Sequence, residues 1–398
     1  MWTAVAEIGL RVVQKPDVIV QRTFDSSASS RSSRKPRVLI VGQGPPTLGG
    51  IPTFVTKLTT DGWLGGQVDL EYLNTTPRGT KRPGGLRLGN VWFAIAHSYF
   101  VFRKARRASV VHLNAAPTPL LPLLRALLLC VASKAGGAKV LLHAHTGRLS
   151  KCIQSPSYRF LLRRSRPLID RLIVVSREAE AALGALGCEA FHLENGVDVD
   201  EFLTGPKNDD KPLMTFLGTI CARKGLLDLR DALVSLQRNS QLPPMEVTIV
   251  GDDRQEGPGE MKRVVTAYAD ELCEVEFTGA LPPDQVKEIL ARTSIFCLPS
   301  HWEGLPLSLL EAMASRAAVV ATRVGDVPDV LEDGECGIIV EPHDSHALAE
   351  VIGRLIVDVD LRRRLGDAAR RRVEERYSFS QTTLALRGLY WELSGYSR

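Results

Sequence analysis

Short apolar runs alternate with segments of helical periodicity from residue 37 to the end of the chain. The runs are continuous and rich in β-branched residues, as in strands that are buried on both faces of a parallel sheet. Strands that alternate with helices are typical of an α/β fold. We predict strands at Arg37–Val41, Val110–Leu113, Lys139–His143, Arg171–Val175, Leu213–Leu217, Glu246–Val250, Glu274–Phe277, Ser294–Leu298, Ala318–Thr322 and Gly337–Val340. We predict one helix that begins at Thr53 and another that ends at about Leu236. Further helices are predicted at Pro119–Ser133, Glu178–Leu186, Glu260–Glu271, Pro283–Ala291, Ser345–Val357, Leu361–Glu375 and Thr382–Leu393.

The pattern divides into two series of similar size. A polar stretch with Gly and Pro, Gly205–Lys211, separates them and has the composition of a linker. We therefore predict a doubly wound domain over residues 37–198, a linker over 199–212, and a second doubly wound domain over 213–377 that faces the first across a cleft. The last helix, within residues 378–398, is predicted to pack back onto the first domain. Residues 1–36 end in a basic, Ser-rich stretch and are predicted to be a flexible lead-in.

Composition excludes several classes of protein. The 398 residues carry a formal charge of +5, and the first 36 hold six Lys/Arg against three Asp/Glu, so the remainder is close to neutral. That balance argues against a nucleic-acid binder. The seven cysteines are scattered without CxxC spacing, which predicts reduced thiols in a cytosolic protein and no zinc site. Pro117–Ala132, the most apolar stretch, is interrupted by prolines and too short to span a bilayer, and the first residues make a poor signal peptide.

The segment Ser300–Met313 carries two glutamates around a predicted helix start. Pro306 suits the first helical position because its missing N–H would be unpaired there. Glu303 is then predicted to lie in the loop and Glu311 about a turn and a half into the helix. Free amide groups near Leu305, Leu307 and Ser308 would form an anion site. Such a site suggests a nucleotide sugar as ligand; a surface loop with two solvated glutamates is the alternative.

A glycine-rich loop follows the first predicted strand. The stretch Gly42–Pro52 does not match GxGxxG, and no acidic residue follows a second strand at the expected distance. A nicotinamide dinucleotide site is therefore not expected. Gly49 and Gly50 are predicted to let the backbone approach a ligand closely.

Four motifs occur in one order along the chain. They are Gly49-Gly50 after the first strand, Asn195-Gly196-Val197-Asp198 before the linker, Arg223-Lys224-Gly225 after a strand, and the Glu303-x7-Glu311 spacing. Together they resemble the GT-B retaining glycosyltransferases of the family 4 type, from about Arg37 to Tyr390. The resemblance implies two Rossmann-like domains, with a nucleotide-diphosphate sugar on the second and the acceptor mainly on the first.

The resemblance also implies roles for individual residues. Glu311 would accept hydrogen bonds from the ribose hydroxyls. Glu303, with the amide groups of Gly304 and Leu305, would hold the donor sugar. Arg223 and Lys224, beside Gly218, would neutralise the diphosphate.

His145, at the end of a strand, is expected to face the donor sugar and stabilise its oxocarbenium-like transition state. His143 is its competitor on the same face of the strand. Family members often have Gly-Arg where this chain has Gly218-Thr219, which leaves Arg223 and Lys224 for the phosphates, with Arg148 as a candidate third cation.

No cofactor or metal is expected, because Arg, Lys and helix dipoles can replace the ion. The leading interpretation is transfer of a hexose from a UDP- or GDP-sugar to a glycan or lipid-linked saccharide in the cytoplasm.

Phe100–Arg107 and Tyr158–Arg166 mix aromatic and basic residues and predict either contact with an anionic membrane or ordinary helices with solvated basic faces. Other interpretations are a nucleotide-sugar epimerase, a non-catalytic sugar-nucleotide-binding subunit, and a phosphorylase. The phosphorylase is disfavoured because only Lys287 lies beyond Lys262.

Overall fold

A computed structural model describes residues 35–47, 49–76, 88–202, 204–238, 242–252, 260–271 and 275–396, with the backbone alone for residues 88–91, 260–262 and 269–271. The lead-in predicted over residues 1–36 lies almost wholly outside these ranges. Within them the chain forms two sheets of six parallel strands each.

The first sheet has the strand order β2-β1-β3-β4-β5-β6. Its strands are β1 (Arg37–Gly42), β2 (Asp69–Asn74), β3 (Val110–Ala115), β4 (Lys139–Ala144), β5 (Arg171–Val174) and β6 (Phe191–His192). The helices that connect them are α1 (Gly50–Thr60), α2 (Gly62–Gln67), α3 (Leu88–Ala105), α4 (Leu120–Ala135), α5 (Leu149–Ile153), α6 (Pro156–Arg164) and α7 (Arg177–Gly184).

The second sheet has the order β12-β11-β10-β7-β8-β9. Its strands are β7 (Leu213–Leu217), β8 (Glu246–Val250), β9 (Val275–Gly279), β10 (Ile295–Leu298), β11 (Ala318–Thr322) and β12 (Ile338–Val340). Its helices are α8 (Leu226–Gln237), α9 (Glu260–Glu271), α10 (Pro283–Arg292), α11 (Leu307–Ala314), α12 (Val327–Val330), α13 (Ser345–Val357) and α14 (Val359–Arg376), and α15 (Phe379–Ser394) follows.

Both sheets reverse their strand order at one point. The reversal lies between β1 and β3 in the first sheet and between β7 and β10 in the second. Loops leave such a switch point in opposite directions and open a crevice at the carboxyl ends of the strands. The loops after β7 and β10 contain Arg223, Lys224 and Glu303, and the loop after β1 ends at Gly49. The topology therefore concentrates the predicted site residues at these two points.

Each sheet is covered on both faces. Val38 and Ile40 of β1 belong to one apolar cluster, and their neighbours Leu39 and Val41 belong to another on the opposite face. The strands of the second sheet alternate in the same way between two clusters. Burial on both faces explains why these strands have continuous apolar runs.

Helix α15 returns to the first sheet. Its buried residues, among them Leu386 and Tyr390, pack in the same cluster as Val38 and Ile40. Between α14 and α15 the chain runs beside residue 197, where the amide of Val197 donates to the carbonyl of Tyr377 over 2.9 Å. A Cβ atom on Gly196 would lie 2.5 Å from the carbonyl oxygen of Ser378. Only glycine fits this crossing, which accounts for the glycine in the Asn195–Asp198 motif.

Several element boundaries differ from the sequence predictions. Helix α1 begins at Gly50 rather than Thr53; Pro52 lies in its first turn, where a missing N–H costs no hydrogen bond. Pro306 is not the first helical residue: its ψ of 118° is extended, and it caps α11, which begins at Leu307. Neither β2 nor the first part of α3 was predicted as an element. None of the helices within the described ranges has the length and apolar character that crossing a bilayer requires.

Candidate active site

The centre of the candidate site is a buried ion pair between the loops after β7 and β10. Lys224 Nζ lies 2.6 Å from Glu303 Oε1, and the Ser300 hydroxyl donates to the same oxygen over 2.8 Å. Arg223 Nη1 lies 3.3 Å from Glu303 Oε2. Lys224 is 7% exposed and Glu303 8%, so the pair is largely removed from water. Because β7 and β10 are neighbours at the switch point, residues far apart in sequence meet here.

Cations gather around the neighbouring Trp302. The guanidinium groups of Arg148 and Arg223 lie 5.1 and 5.4 Å from its ring centroid, and Lys151 Nζ lies 5.8 Å from it. Arg223 also donates to the Trp302 carbonyl over 3.0 Å. Arg148 and Lys151 follow β4, at the start of α5 and within it, so both halves of the chain contribute positive charge. In the part of the chain that the structure describes, Glu303 is the one carboxylate paired with any of these cations or with Lys224, and the excess of positive charge attracts an anion.

His145 ends β4 in a half-buried position opposite this cluster. Its Nε2 lies 2.9 Å from Asn114 Oδ1, an acceptor, so Nε2 carries the proton and Nδ1 is left as an acceptor. Burial lowers the pKa of His145 to about 3, so the ring is neutral at pH 7. The His143 ring stacks on it at 3.9 Å, and Phe54 packs against it at 4.8 Å.

His143 is fully buried, and its Nδ1 lies 3.3 Å from His112 Nε2. Burial, followed by the charges of His145 and His112, holds the pKa of His143 well below its usual range. Of the two histidines, His145 is the one that retains exposure at the end of β4.

The loops of the two sheets touch at glycines. A Cβ atom on Gly147 would lie 2.8 Å from the Gly304 Cα, and one on Gly50 would lie 3.8 Å from Leu307 Cδ1. Gly147 lies two residues after His145 in the same loop, and Gly304 directly follows Glu303. The two glycines therefore allow His145 and Glu303 to approach each other across the cleft.

Glu311 is the fifth residue of α11, slightly less far into the helix than the turn and a half predicted, because α11 begins at Leu307. It lies one turn beyond Leu307 on the same face of the helix. Burial raises its pKa, and the nearby charges of Lys57 and Lys287 lower it. Both lysines pair with Glu201, at 3.4 and 2.8 Å. Glu311 is thus a partly buried carboxyl group close to two lysines, both of which also pair with Glu201.

The other predicted residues lie along the same loops. Gly49 precedes α1 with a φ of 133°, which favours glycine. A Cβ atom on Gly218 would lie 3.3 Å from Lys224 Nζ, so the small residue leaves room for the ammonium group. Thr219 follows in that loop, and Leu305 is buried.

Asn114, Phe54 and Trp302 were not singled out from the sequence. Asn114 lies near the carboxyl end of β3, beside β4, and the rule that located His145 could have found it. No local signal marks Phe54 or Trp302, because their importance depends on what packs against them.

Two family descriptions match the chain in succession. "Glycosyltransferase Family 4" matches residues 58–201, and "Glycosyl transferases group 1" matches residues 200–372. The two together account for well over half of the chain.

Curated relatives include three bacterial proteins. The D-inositol 3-phosphate glycosyltransferase of Corynebacterium jeikeium is 29% identical, over 56% of this chain and 57% of the relative. The alpha-maltose-1-phosphate synthase of Mycolicibacterium smegmatis is 32% identical, over 52% of each chain. The GDP-mannose-dependent alpha-(1-6)-phosphatidylinositol monomannoside mannosyltransferase of that organism is 29% identical, over 62% of this chain and 68% of the relative. The chain thus spans little more than half the length of the first two.

Solved structures share the fold. The sucrose-phosphate synthase of Thermosynechococcus elongatus superposes with a TM-score of 0.71 at 20% identity, covering 91% of this chain and all of that one. Anabaena HepE does so with a TM-score of 0.66 at 18% identity, covering 89% of this chain and all of that one. The succession of family matches, the two parallel sheets and these superpositions agree: the chain belongs to the family 4 type of glycosyltransferases with the GT-B fold.

Proposed function

We propose that the protein is a retaining glycosyltransferase that moves a hexose from a UDP- or GDP-sugar to a glycan or lipid-linked saccharide. The observation that carries this proposal is the Lys224–Glu303 pair at the switch point of the second sheet, in contact with the His145–Gly147 loop of the first. Ligands of doubly wound sheets bind at such points. A carboxylate beside several cations suits a ligand that combines sugar hydroxyls with phosphates.

The cations would act on the leaving group. Negative charge on the diphosphate grows as the glycosidic bond breaks, and preorganised charges aimed at it lower the barrier. Each such group contributes about 3–4 kcal/mol, or 10²–10³ in rate. Arg223 and Lys224 would supply this charge, and Arg148 beside Trp302 would compensate for Thr219 at the position of the family's arginine. With this many cations the transfer would need no metal ion.

The carboxylates would orient the donor. Glu303 accepts from Lys224 and Ser300 at one oxygen and from Arg223 at the other. A carboxylate offers about four lone-pair sites, so a sugar hydroxyl can still donate to it. Glu311, desolvated in α11, would accept from the ribose, while the start of α11 would face the phosphates.

His145 would position the sugar rather than take its proton. A ring with a pKa of about 3 is a weak base at pH 7, but its free Nδ1 can accept a hydrogen bond from a hydroxyl. Asn114 fixes the tautomer that leaves Nδ1 available. His145 would thus be a neutral polar contact to the reacting sugar.

Retention of configuration is supported by the name of one relative. The mannosyltransferase is named for an alpha-(1-6) bond to its acceptor. Sugars such as that of GDP-mannose are α-linked to the diphosphate, so an alpha product keeps the donor's configuration. The anomeric configuration of the new glycosidic bond in a product made by this chain, read from its one-bond C–H coupling by NMR, decides between retention and inversion.

The acceptor is proposed to lie at a membrane surface because α3 and α4, which pack together, expose large apolar side chains. Trp92, Ile95 and Tyr99 of α3 share one face and are each more than half exposed. The exposed residues of α4 are Leu120, Leu121, Leu124, Leu128 and Val131. Exposed apolar faces of this size mark contact surfaces. The relative named for a phosphatidylinositol mannoside acceptor agrees with a lipid-linked substrate.

The basic residues near this surface divide into two kinds. Arg103, Arg106 and Arg107 are exposed at the end of α3. Lys104, in the same segment, is not part of that face, because it forms an ion pair with Glu71 under the helix. The arginines would supply the attraction to anionic headgroups.

Membrane contact is tested by co-sedimentation with phosphatidylglycerol-containing vesicles. Leu124→Asp with Leu128→Asp should abolish sedimentation, and Arg103→Ala with Arg106→Ala should weaken it most at low salt. Leu384→Asp is the matched control, since Leu384 is 50% exposed on α15 and should behave as the parent. Binding that is indifferent to the α4 changes would contradict membrane contact.

The transferase proposal is tested with a panel of UDP-, GDP- and ADP-sugars and saccharide acceptors. Lys224→Ala and Glu311→Ala should each lower turnover at least about 10²-fold while the circular dichroism spectrum stays unchanged. Near-parent turnover in both variants would refute the proposed site. Epimerisation of the donor, or donor binding without turnover, would refute transfer itself.

A further inference from the structure

Asp228, His301 and His343 form a cluster outside the Lys224–Glu303 pair. His301 Nε2 lies 2.6 Å from Asp228 Oδ2, His343 Nδ1 lies 3.9 Å from the same oxygen, and the two imidazole centroids are 3.8 Å apart. One ligand atom of each residue lies within 4.8 Å of the others. We infer that these three side chains bind a first-row divalent transition metal, with zinc as the probe.

The donor set and its spacing suit such an ion. Zinc binds imidazole nitrogen and carboxylate oxygen at about 2.0–2.2 Å, so two ligands of a tetrahedral site lie about 3.4 Å apart. Asp228 Oδ2 lies 2.6 Å from His301 Nε2 and 3.9 Å from His343 Nδ1, one distance below and one above this value. Small side-chain rotations would bring both distances to it. Two histidines with one carboxylate leave positions for water. His343 is exposed, which gives an ion access from solvent.

The three ligands come from separate segments of the second sheet. Asp228 lies in the first turn of α8, His301 follows β10, and His343 lies between β12 and α13. A metal ion would link these segments. His343 has a φ of 65°, a left-handed conformation that histidine adopts more readily than most residues.

The metal would also brace the loop that carries the cations. The amide of His301 donates to the carbonyl of Arg223 over 2.8 Å, so fixing His301 restrains the Arg223-Lys224 turn. This consequence rests on the proposed function; the binding itself does not. No member of the Lys224–Glu303 pair is a ligand, so the ion would be structural, and charge on the leaving group would still be met by Arg223 and Lys224.

The test uses the full-length chain, stripped with chelator and titrated with zinc by calorimetry in the absence of substrates. One equivalent should bind, and His343→Asn should weaken the affinity at least about tenfold, because even loss of a group that only orients a ligand costs that much. Asparagine tolerates the left-handed backbone, so this variant should keep the fold. Asp228→Asn should have the same effect. His346→Asn is the matched control, because His346 is an exposed histidine of α13 whose one ion-pair partner among the described residues is Glu350, at 3.8 Å.

Cobalt substitution separates this site from the cysteines. The cobalt form should show ligand-field bands of nitrogen and oxygen ligands without thiolate charge-transfer absorption. Absence of stoichiometric binding, unchanged affinity in His343→Asn, an equal loss in His346→Asn, or thiolate bands would each overturn the inference. Because no sugar is present, these outcomes are independent of whether the protein is a transferase.

Discussion

The Lys224–Glu303 pair should behave as a coupled buried unit in the free protein. At 2.6 Å and an effective dielectric constant of 20, the attraction is about 6 kcal/mol, much of which is offset by desolvation. Removing one partner of a buried pair costs about 3–5 kcal/mol of stability. Lys224→Ala should fall at the low end, because Glu303 keeps Arg223 and Ser300. Glu303→Ala should cost more, because Glu303 is the only carboxylate that pairs with Lys224 within the described ranges.

A double-mutant cycle measured by urea unfolding checks this reasoning. The double variant should be less destabilised than the sum of the single variants by about 3 kcal/mol, since removing both charges removes the desolvation cost as well. Arg323 and Glu341, 2.9 Å apart on the surface, form the control pair and should couple by less than about 1 kcal/mol. Additivity of Lys224→Ala and Glu303→Ala within about 0.5 kcal/mol would refute the coupling.

Three further changes test other parts of the structure. Gly147→Ala would place a Cβ atom 2.8 Å from the Gly304 backbone and separate the two loops, so turnover should fall at least about tenfold with an unchanged melting temperature; an active variant would contradict the contact. Burial raises the pKa of Asp326 from 3.8 to about 6, so its protonated form stabilises the fold below pH 4 and this contribution is lost as pH rises to 6. Asp326→Asn should flatten the stability profile in that window, by about 3 kcal/mol. Tyr390→Phe removes the 2.7 Å hydrogen bond to buried His112 and should cost about 1–3 kcal/mol on unfolding, whereas a cost near zero would mean that water replaces it.

The strands that sequence predicted best are those buried on both faces. Leu213–Leu217 and Ala318–Thr322 were predicted to the residue, because a continuous apolar run leaves little choice of boundary. Strand β2 was missed because it forms the edge of its sheet, where alternate residues are partly exposed and its apolar run is broken. The first part of α3 was missed because it exposes Trp92, Ile95 and Tyr99, which blurs the contrast between its two faces.

The candidate site shows a different limit. Glu303 and Lys224 were identified separately, one for the sugar and one for the diphosphate, but nothing in the sequence indicated that they contact each other. They are 79 residues apart, and they meet only because β7 and β10 are adjacent at the switch point. The cluster of Asp228, His301 and His343 depends on the same long-range pairing. The spacing of residues in the sequence indicates helix starts and strand ends, but it does not indicate which loops become neighbours.

The return of α15 to the first sheet has a consequence for how the chain folds during synthesis. The face of β1 that carries Val38 and Ile40 is completed by Leu386 and Tyr390, which leave the ribosome more than three hundred residues later. Domains usually fold as units while the chain is still emerging. Here the apolar face of β1 stays uncovered until α15 has been synthesised. Contacts of such long sequence separation slow folding, so the nascent first half is the stage most exposed to aggregation and most dependent on chaperones.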